Sequence, residues 1–247
     1  MTLIEREYYR FIRLAAQTIV PPIIMTILFI IIFGYSLGKQ IEEISGFPYI
    51  VYILPGVAGM GMINNAFSNS ATSLFMSRTD RSIENIMVAP LSHLKIVLAL
   101  VIGGMTRGLV VGGITLLVAS LLTELTLHSV LWSVAYLFLI SIIFSSLGVV
   151  AALWAEDWDH LATLFTFIIT PFIYLGGVFY SVSMLPPLWQ KASLVNPMYY
   201  MIDGFRWAVL GQGDLSPWIS GGVTFTLTLS FFTWAVWLFK RGYKLVV

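Results

Sequence analysis

Six uninterrupted apolar runs of 22 to 27 residues occupy most of this 247-residue chain, at 14–37, 49–75, 97–123, 130–153, 161–184 and 218–239. A helix needs roughly 20 mostly apolar residues to cross a hydrocarbon layer about 30 Å thick, because each residue rises about 1.5 Å. The runs are continuous rather than alternating, which excludes a barrel of short strands. Composition points the same way, with 58% of residues hydrophobic and 10% charged. A soluble chain so built would bare large apolar patches to water. The reading is an all-α membrane protein, one domain over residues 1–247 with six transmembrane helices.

Basic residues orient such a chain, since cytoplasmic flanks carry the excess of Lys and Arg. Arg6, Arg10, Arg13, Arg78, Arg81, Lys95, Lys240, Arg241 and Lys244 flank one face of the six-span scheme, against Lys39, Lys191 and Arg206 on the other. Both termini are therefore placed in the cytoplasm. The net charge of +1 leaves no basic surplus for nucleic acid, and the absence of Cys removes disulfides and thiolate chemistry.

Segments outside the runs carry their own patterns. In residues 1–13, Arg6, Arg10 and Arg13 fall on one helical stripe and Ile4, Tyr8, Phe11 and Ile12 on another, as in an interfacial helix along the inner leaflet or a plain extension of the first span. Residues 77–95 hold a short helix, with Ser77 and Asp80 at capping-box spacing and Pro90 as its stop. Its apolar stripe is Ile83, Ile86 and Met87, while Arg81, Glu84 and Asn85 face elsewhere. Two roles stay open for it: pressing one face into a partner's groove, or resting on the headgroups as a solvated turn. Residues 185–217 are too apolar for a free loop. Pro186 and Pro187 interrupt the fifth run, and Asn196-Pro197 opens a second helix that Gly211 and Gly213 end. Too short to cross, and bearing Asp203 and Arg206, this pair of helices is expected to dip into the outer leaflet.

Within the third run, Gly104, Gly108 and Gly112 recur every four residues and present a smooth packing face. Arg107 beside them is expensive at membrane depth and has two readings, a structural hydrogen-bonding group or a place on a transport path. Motifs for phosphate binding, a serine nucleophile or a zinc pair do not occur. Glu156, Asp157, Asp159 and His160 read as an acidic turn capping the fifth helix rather than as a metal site.

Two stretches carry a family likeness. Glu84-Asn85-Ile86-Met87-Val88-Ala89-Pro90 resembles the acidic, aliphatic, small-residue, proline run of type-2 ABC exporter permeases. The run from Asn196 to Gly211, NPMYYMIDGFRWAVLG, is similar to their sequence before the last span, and Tyr174–Tyr180 with Leu185-Pro186-Pro187 fits as well. The likeness covers nearly the whole chain and resembles the compact bacterial branch that exports drugs, lipid-linked oligosaccharides and nodulation factors. It implies an inner-membrane permease dimer, a lipid-bilayer setting, and a separate ABC ATPase subunit that holds ATP and Mg, with no cofactor on this chain. It also implies that Arg81, Ile83, Glu84, Ile86, Met87 and Pro90 couple to the ATPase, and that Tyr199, Tyr200 and Trp207 shape or gate the exit; Arg107 is a pathway candidate only on the cost of its charge at membrane depth. A secondary transporter would require further ionisable groups at membrane depth, a lipid-modifying enzyme a convergent His or carboxylate set, and a channel a polar pore lining.

Overall fold

The computed structural model describes residues 15–34, 38, 41, 43–88 and 91–243. The expected interfacial helix at 1–13, with Arg6, Arg10 and Arg13, and the expected helix stop Pro90 lie outside those residues. Helix α1 (Ala15–Ile32) contains Pro21 and Pro22. A two-residue hairpin, β1 (Glu43–Ile44) with β2 (Phe47–Pro48), turns through Ser45 and Gly46, both at positive φ. Then follow α2 (Tyr49–Thr79), the short α3 (Ser82–Val88), α4 (His93–Leu122) and α5 (Val130–Trp154). Helix α6 (Trp158–Leu175), α7 (Pro187–Val195), α8 (Pro197–Leu210) and α9 (Pro217–Lys240) complete the described chain. Five of these, α2, α4, α5, α6 and α9, are long and apolar enough to cross a membrane. The described part of the first run forms a shorter apolar helix.

Helix α2 is the axis of the bundle, with α4 and α5 along its length, α9 against α5, and α8 laid across α2, α5 and α9. Glycine and serine make that approach possible. A Cβ at Gly104 would stand 2.5 Å from Ser145 Oγ and 2.7 Å from the Ala66 carbonyl oxygen, and one at Gly148 would stand 2.5 Å from the Phe67 carbonyl. Gly108 lies against Ser141 and Ala66, and Gly112 against Leu137 and Met62. The Ser70 hydroxyl donates to the Leu100 carbonyl at 3.0 Å and bridges α2 to α4. In a bilayer, helices gain little from hydrophobicity alone, so such close contact supplies the association energy.

Several expected boundaries move. The second helix runs past 75 to Thr79, so Ser77 is no cap: its hydroxyl donates to the Ser73 carbonyl inside α2. Asp80 starts α3 instead, its carboxylate accepting from the Ser82 N–H at 2.9 Å, and Arg81 between them takes a φ of 57°. Residues 93–95 belong to α4 rather than to the connection. The fifth helix ends at Leu175, not 184. Gly177 takes a φ of 80°, and residues 176–186 are turns with one 3-10 turn at Val182–Met184. Pro187 therefore opens α7 rather than interrupting the fifth span.

The packing generates a contrast between two glycines of one helix. Gly104→Leu should lower thermal stability of the detergent-solubilised protein by about 1–3 kcal/mol or prevent folding, as overpacking does. Gly113→Leu, where a Cβ meets nothing within 4 Å, should change stability by less than about 0.5 kcal/mol.

Candidate functional site

One face of α2 is only partly covered by the described residues, and it is polar. Asn64 is exposed, and Gly61, Asn65, Ser68 and Thr72 are half-buried, at spacings that keep them on one side of the helix. This face borders a cavity of about 420 Å³. Pro21, Pro22, Met25, Thr26 and Phe29 of α1 form one wall, Val57, Met60, Gly61, Asn64 and Asn65 of α2 the next, Val111 and Thr115 of α4 a third, and Phe165, Thr170, Ile173 and Tyr174 of α6 the last. The volume falls in the range of about 300–1,000 Å³ usual for small-molecule pockets.

The lining is uncharged, and two of its four hydroxyls are occupied by their own helices. Thr26 donates to the Pro22 carbonyl at 2.7 Å, and Thr170 to the Phe165 carbonyl at 3.0 Å. Asn65 Nδ2 donates to the Gly61 carbonyl at 3.0 Å, and Asn64 Oδ1 accepts from Ser68 at 3.2 Å. Each amide keeps capacity for a further partner. The α6 wall is widened by a π-helical turn over Phe165–Ile169, just before Pro171, whose ring lacks the N–H that a regular turn would use.

Toward the far end of the bundle, buried charges tie loops to α8. Asp203 and Arg206 are each only 1% exposed. The Asp203 carboxylate accepts from the Asp214 N–H at 2.6 Å and the Leu215 N–H at 3.1 Å. Asp214 accepts in turn from the Ser181 hydroxyl at 2.6 Å and the Val182 N–H at 2.9 Å. Arg206 donates to the Gly177 carbonyl, and its guanidinium lies 4.2 Å from the centre of the Tyr52 ring. Burial pushes the Asp203 carboxyl above the usual carboxylate range, against the main-chain donors and Arg206, which pull it down. Asn196 caps α8 by accepting from the Met198 N–H and also donates to the Phe172 carbonyl at 2.7 Å.

The residues expected to shape a path are distributed differently. Tyr199 is buried next to this charged cluster, where burial raises its phenol further above the ordinary range. Tyr200 donates to the Leu194 carbonyl, and Trp207 packs edge-on near His128 and Trp132. None of the three lines the cavity. Arg107 is half-buried on α4, one and two turns before the lining residues Val111 and Thr115. At the other end, Ile83 is 2% exposed and Ile86 is half-buried against the core, so α3 turns this face inward. Met87 leaves the expected stripe and is exposed, together with Arg81, Glu84, Asn85 and Val88. Arg78, a charge expected in the connection, is buried within α2 and donates to the Ala152 and Ala155 carbonyls of the α5 terminus. Asp157 caps α6 by accepting from the His160 N–H at 2.7 Å. Sequence reasoning passed over Asn64, Asn65, Ser68 and Thr72, although polar residues at helical spacing inside an apolar run are a readable signal.

A family model for the ABC-2 type transporter matches residues 1–210. The chain belongs to the ABC-2 type transporter family. It is 38% identical over 237 residues to the inner membrane transport permease YadH of Escherichia coli K12, covering 96% of this chain and 93% of that protein. It is 27% identical over 180 residues to nodulation protein J of Sinorhizobium fredii, covering 72% of this chain and 69% of the relative, and 24% identical over 209 residues to its namesake in Rhizobium meliloti, covering 84% and 80%. As an ABC-2 protein the chain is a multi-pass membrane transport permease. The family match ends with α8, so it takes in the whole cavity and both Asp203 and Arg206, while Asp214 and Leu215 lie beyond it.

The cluster predicts a graded effect. Arg206→Ala leaves the buried Gly177 carbonyl without its donor and should destabilise the ABC-2 bundle by about 1–3 kcal/mol or more. Because the Asp203 carboxyl is raised in the folded state, the fold holds its proton more tightly than the unfolded chain does. Its contribution therefore falls as pH rises above about 4. Wild type should therefore lose stability relative to Asp203→Asn over that rise in thermal melts at stepped pH.

Proposed function

We propose that this chain is the transmembrane permease subunit of an ATP-driven exporter of a bacterial inner membrane, working as a dimer with separate ATPase subunits. The observation that carries the reading is the polar stripe of α2, whose Asn64 and Asn65 line a cavity between four helices of an ABC-2 chain. Side-chain amides inside a membrane span, each with bonding capacity left over, face a path or a partner. The cavity is one half of the substrate route, and a second copy closes it along the exposed apolar flank of α6, where Phe167, Ile168 and Phe172 lie bare. The names of the relatives, a transport permease of an inner membrane and nodulation proteins, support this setting.

Sidedness follows from charge. Arg78, Arg81, Lys95, Lys240 and Arg241 gather at the end of the bundle that bears α3, against Lys191 and Arg206 at the other. By the positive-inside rule the α3 end and both termini are cytoplasmic. There the ATPase, which holds ATP and Mg and performs the hydrolysis, meets Arg81, Glu84, Asn85, Met87 and Val88. Ile83 and Ile86 serve instead as the root of α3 in the bundle. Closure of the ATPases moves α3, the short Asp80–Arg81 junction passes that motion to α2, and Arg78 carries it to the end of α5. The π-helical turn beside Pro171 gives the cavity wall a place to bend. At the outer end Tyr199 holds the cap together, while Tyr200 and Trp207 border the exit.

Val88→Asp or Glu84→Ala should weaken ATPase pull-down and coupled turnover while leaving membrane insertion and melting temperature unchanged. Ile83→Asp should unfold the α3 end instead. Asn64→Leu with Asn65→Leu should lower transport several-fold in reconstituted vesicles with ATPase assembly intact. Undiminished transport in that double variant would remove the cavity from the route.

A further inference from the structure

A second recess lies away from the transport cavity, at the end of the bundle that bears α3. It is a groove of about 280 Å³ between α5, α6 and α9. Residues 147–154 of α5 form its floor, Leu164 of α6 one wall, Trp234 and Leu238 of α9 the other, and Tyr243 reaches its edge. The glycine before Tyr243 takes a φ of 69°, which turns the chain back toward the groove.

Each wall is a helical stripe ending in a different group. On α9, Trp234 and Leu238 lead at i, i+4, i+7 to Arg241, whose guanidinium lies 3.9 Å from the centre of the Trp237 ring, with Lys240 exposed beside it. On α6, Leu164 leads back at i−4 and i−7 to His160 and Asp157. Asp157 is exposed, with one carboxylate oxygen accepting from the His160 N–H. The floor ends at Trp154, whose ring centre is 5.6 Å from that of His160. An apolar slot thus opens between a cationic lip and an acidic one, and Glu156 and Asp159 are exposed on the acidic side. Charges of both signs thus flank the slot, on the end of α9 and on the 156–159 turn.

We propose that this groove holds one membrane phospholipid with a zwitterionic, amine-bearing head. An acyl chain fills the slot, the phosphate sits at Arg241 and Lys240, and the ammonium meets Asp157. Guanidinium and ammonium groups bind phosphate through charge-assisted bonds, and basic pockets between spans recognise lipid heads in this way. A purely anionic head would meet the carboxylates of the 156–159 turn, and a purely cationic one would meet Arg241. The groove shares α6 with the cavity, because Leu164 faces the groove and the next residue, Phe165, lines the cavity. A bound lipid braces α6 immediately below its π-helical turn. Assignment to the inner leaflet rests on the orientation proposed above, whereas the site itself does not.

The test is native mass spectrometry of the full-length chain in detergent, with dioleoyl-phosphatidylethanolamine and dioleoyl-phosphatidylglycerol titrated into delipidated protein. It needs neither transport nor ATPase, so its outcome is independent of the export reading. Wild type should bind one phosphatidylethanolamine per chain roughly tenfold more tightly than phosphatidylglycerol. Arg241→Gln with Lys240→Gln should weaken that binding about tenfold, the effect of losing a charged hydrogen bond. Asp157→Asn, which still caps a helix, should abolish the preference between the two lipids, and Leu147→Trp should fill the slot and release the lipid. No lipid bound by wild type, equal binding of both lipids, or unchanged binding in the Arg241/Lys240 and Asp157 variants would overturn the proposal. The last two variants decide it even if Leu147→Trp fails to fold.

Discussion

Three helix backbones meet at membrane depth because Gly104, Gly108 and Gly148 have no side chain to hold them apart, and the arrangement of the cavity depends on that meeting. Lipid tails solvate leucine as well as another helix does, so a membrane helix finds its neighbours through fit and hydrogen bonding rather than escape from water. Serines 70, 141 and 145 are small enough to stand in the gaps the glycines leave, and Ser70 adds a bond from α2 to the Leu100 carbonyl. With α4 and α5 pressed this closely on two sides of α2, its remaining face is committed outward. That face is the one carrying Asn64, Asn65, Ser68 and Thr72.

The same logic of satisfied polar groups governs both ends of the bundle. An arginine buried among apolar helices needs acceptors, and Arg78 finds them where α5 runs out of helix and its last carbonyls lack intrahelical donors. At the opposite end Arg206 takes the Gly177 carbonyl at the end of α6, while Asp203 gathers the N–H groups of Asp214 and Leu215. Both arginines therefore act as clasps between a helix and an irregular segment. Both ends of the bundle are thus clasped, and the π-helical turn in α6 lies between these clasps, against the cavity.

Helix α3 illustrates how a local pattern can be read correctly and its direction missed. The apolar spacing of Ile83 and Ile86 is real, yet the bundle itself takes that face, leaving Glu84, Asn85, Met87 and Val88 outward. Amphipathicity says that one side is buried but not against whom. The cap is similar: the spacing makes Ser77 the start and Asp80 its capping-box partner, yet Asp80 takes over the capping because α2 continues through Ser77 as its buried end.

What the sequence alone determined is what depends on neighbours along the chain. Apolar length set the helical membrane class, Asn196 beside Pro197 set the start of α8, and the four-residue recurrence of glycine marked a packing face of α4, because propensity, capping and transfer from water act over one or two turns. The polar stripe on α2 is equally legible, as a recurrence of polar residues at helical spacing within an apolar run. Tertiary structure decided the rest: the end of α6 at Leu175, the inward turn of Ile83, the burial of Arg78 against residues 74 and 77 positions away, and the pairing of Arg206 with a carbonyl 29 positions away. Those outcomes depend on which groups become neighbours once three backbones have closed together, and no periodicity along the chain encodes that distance.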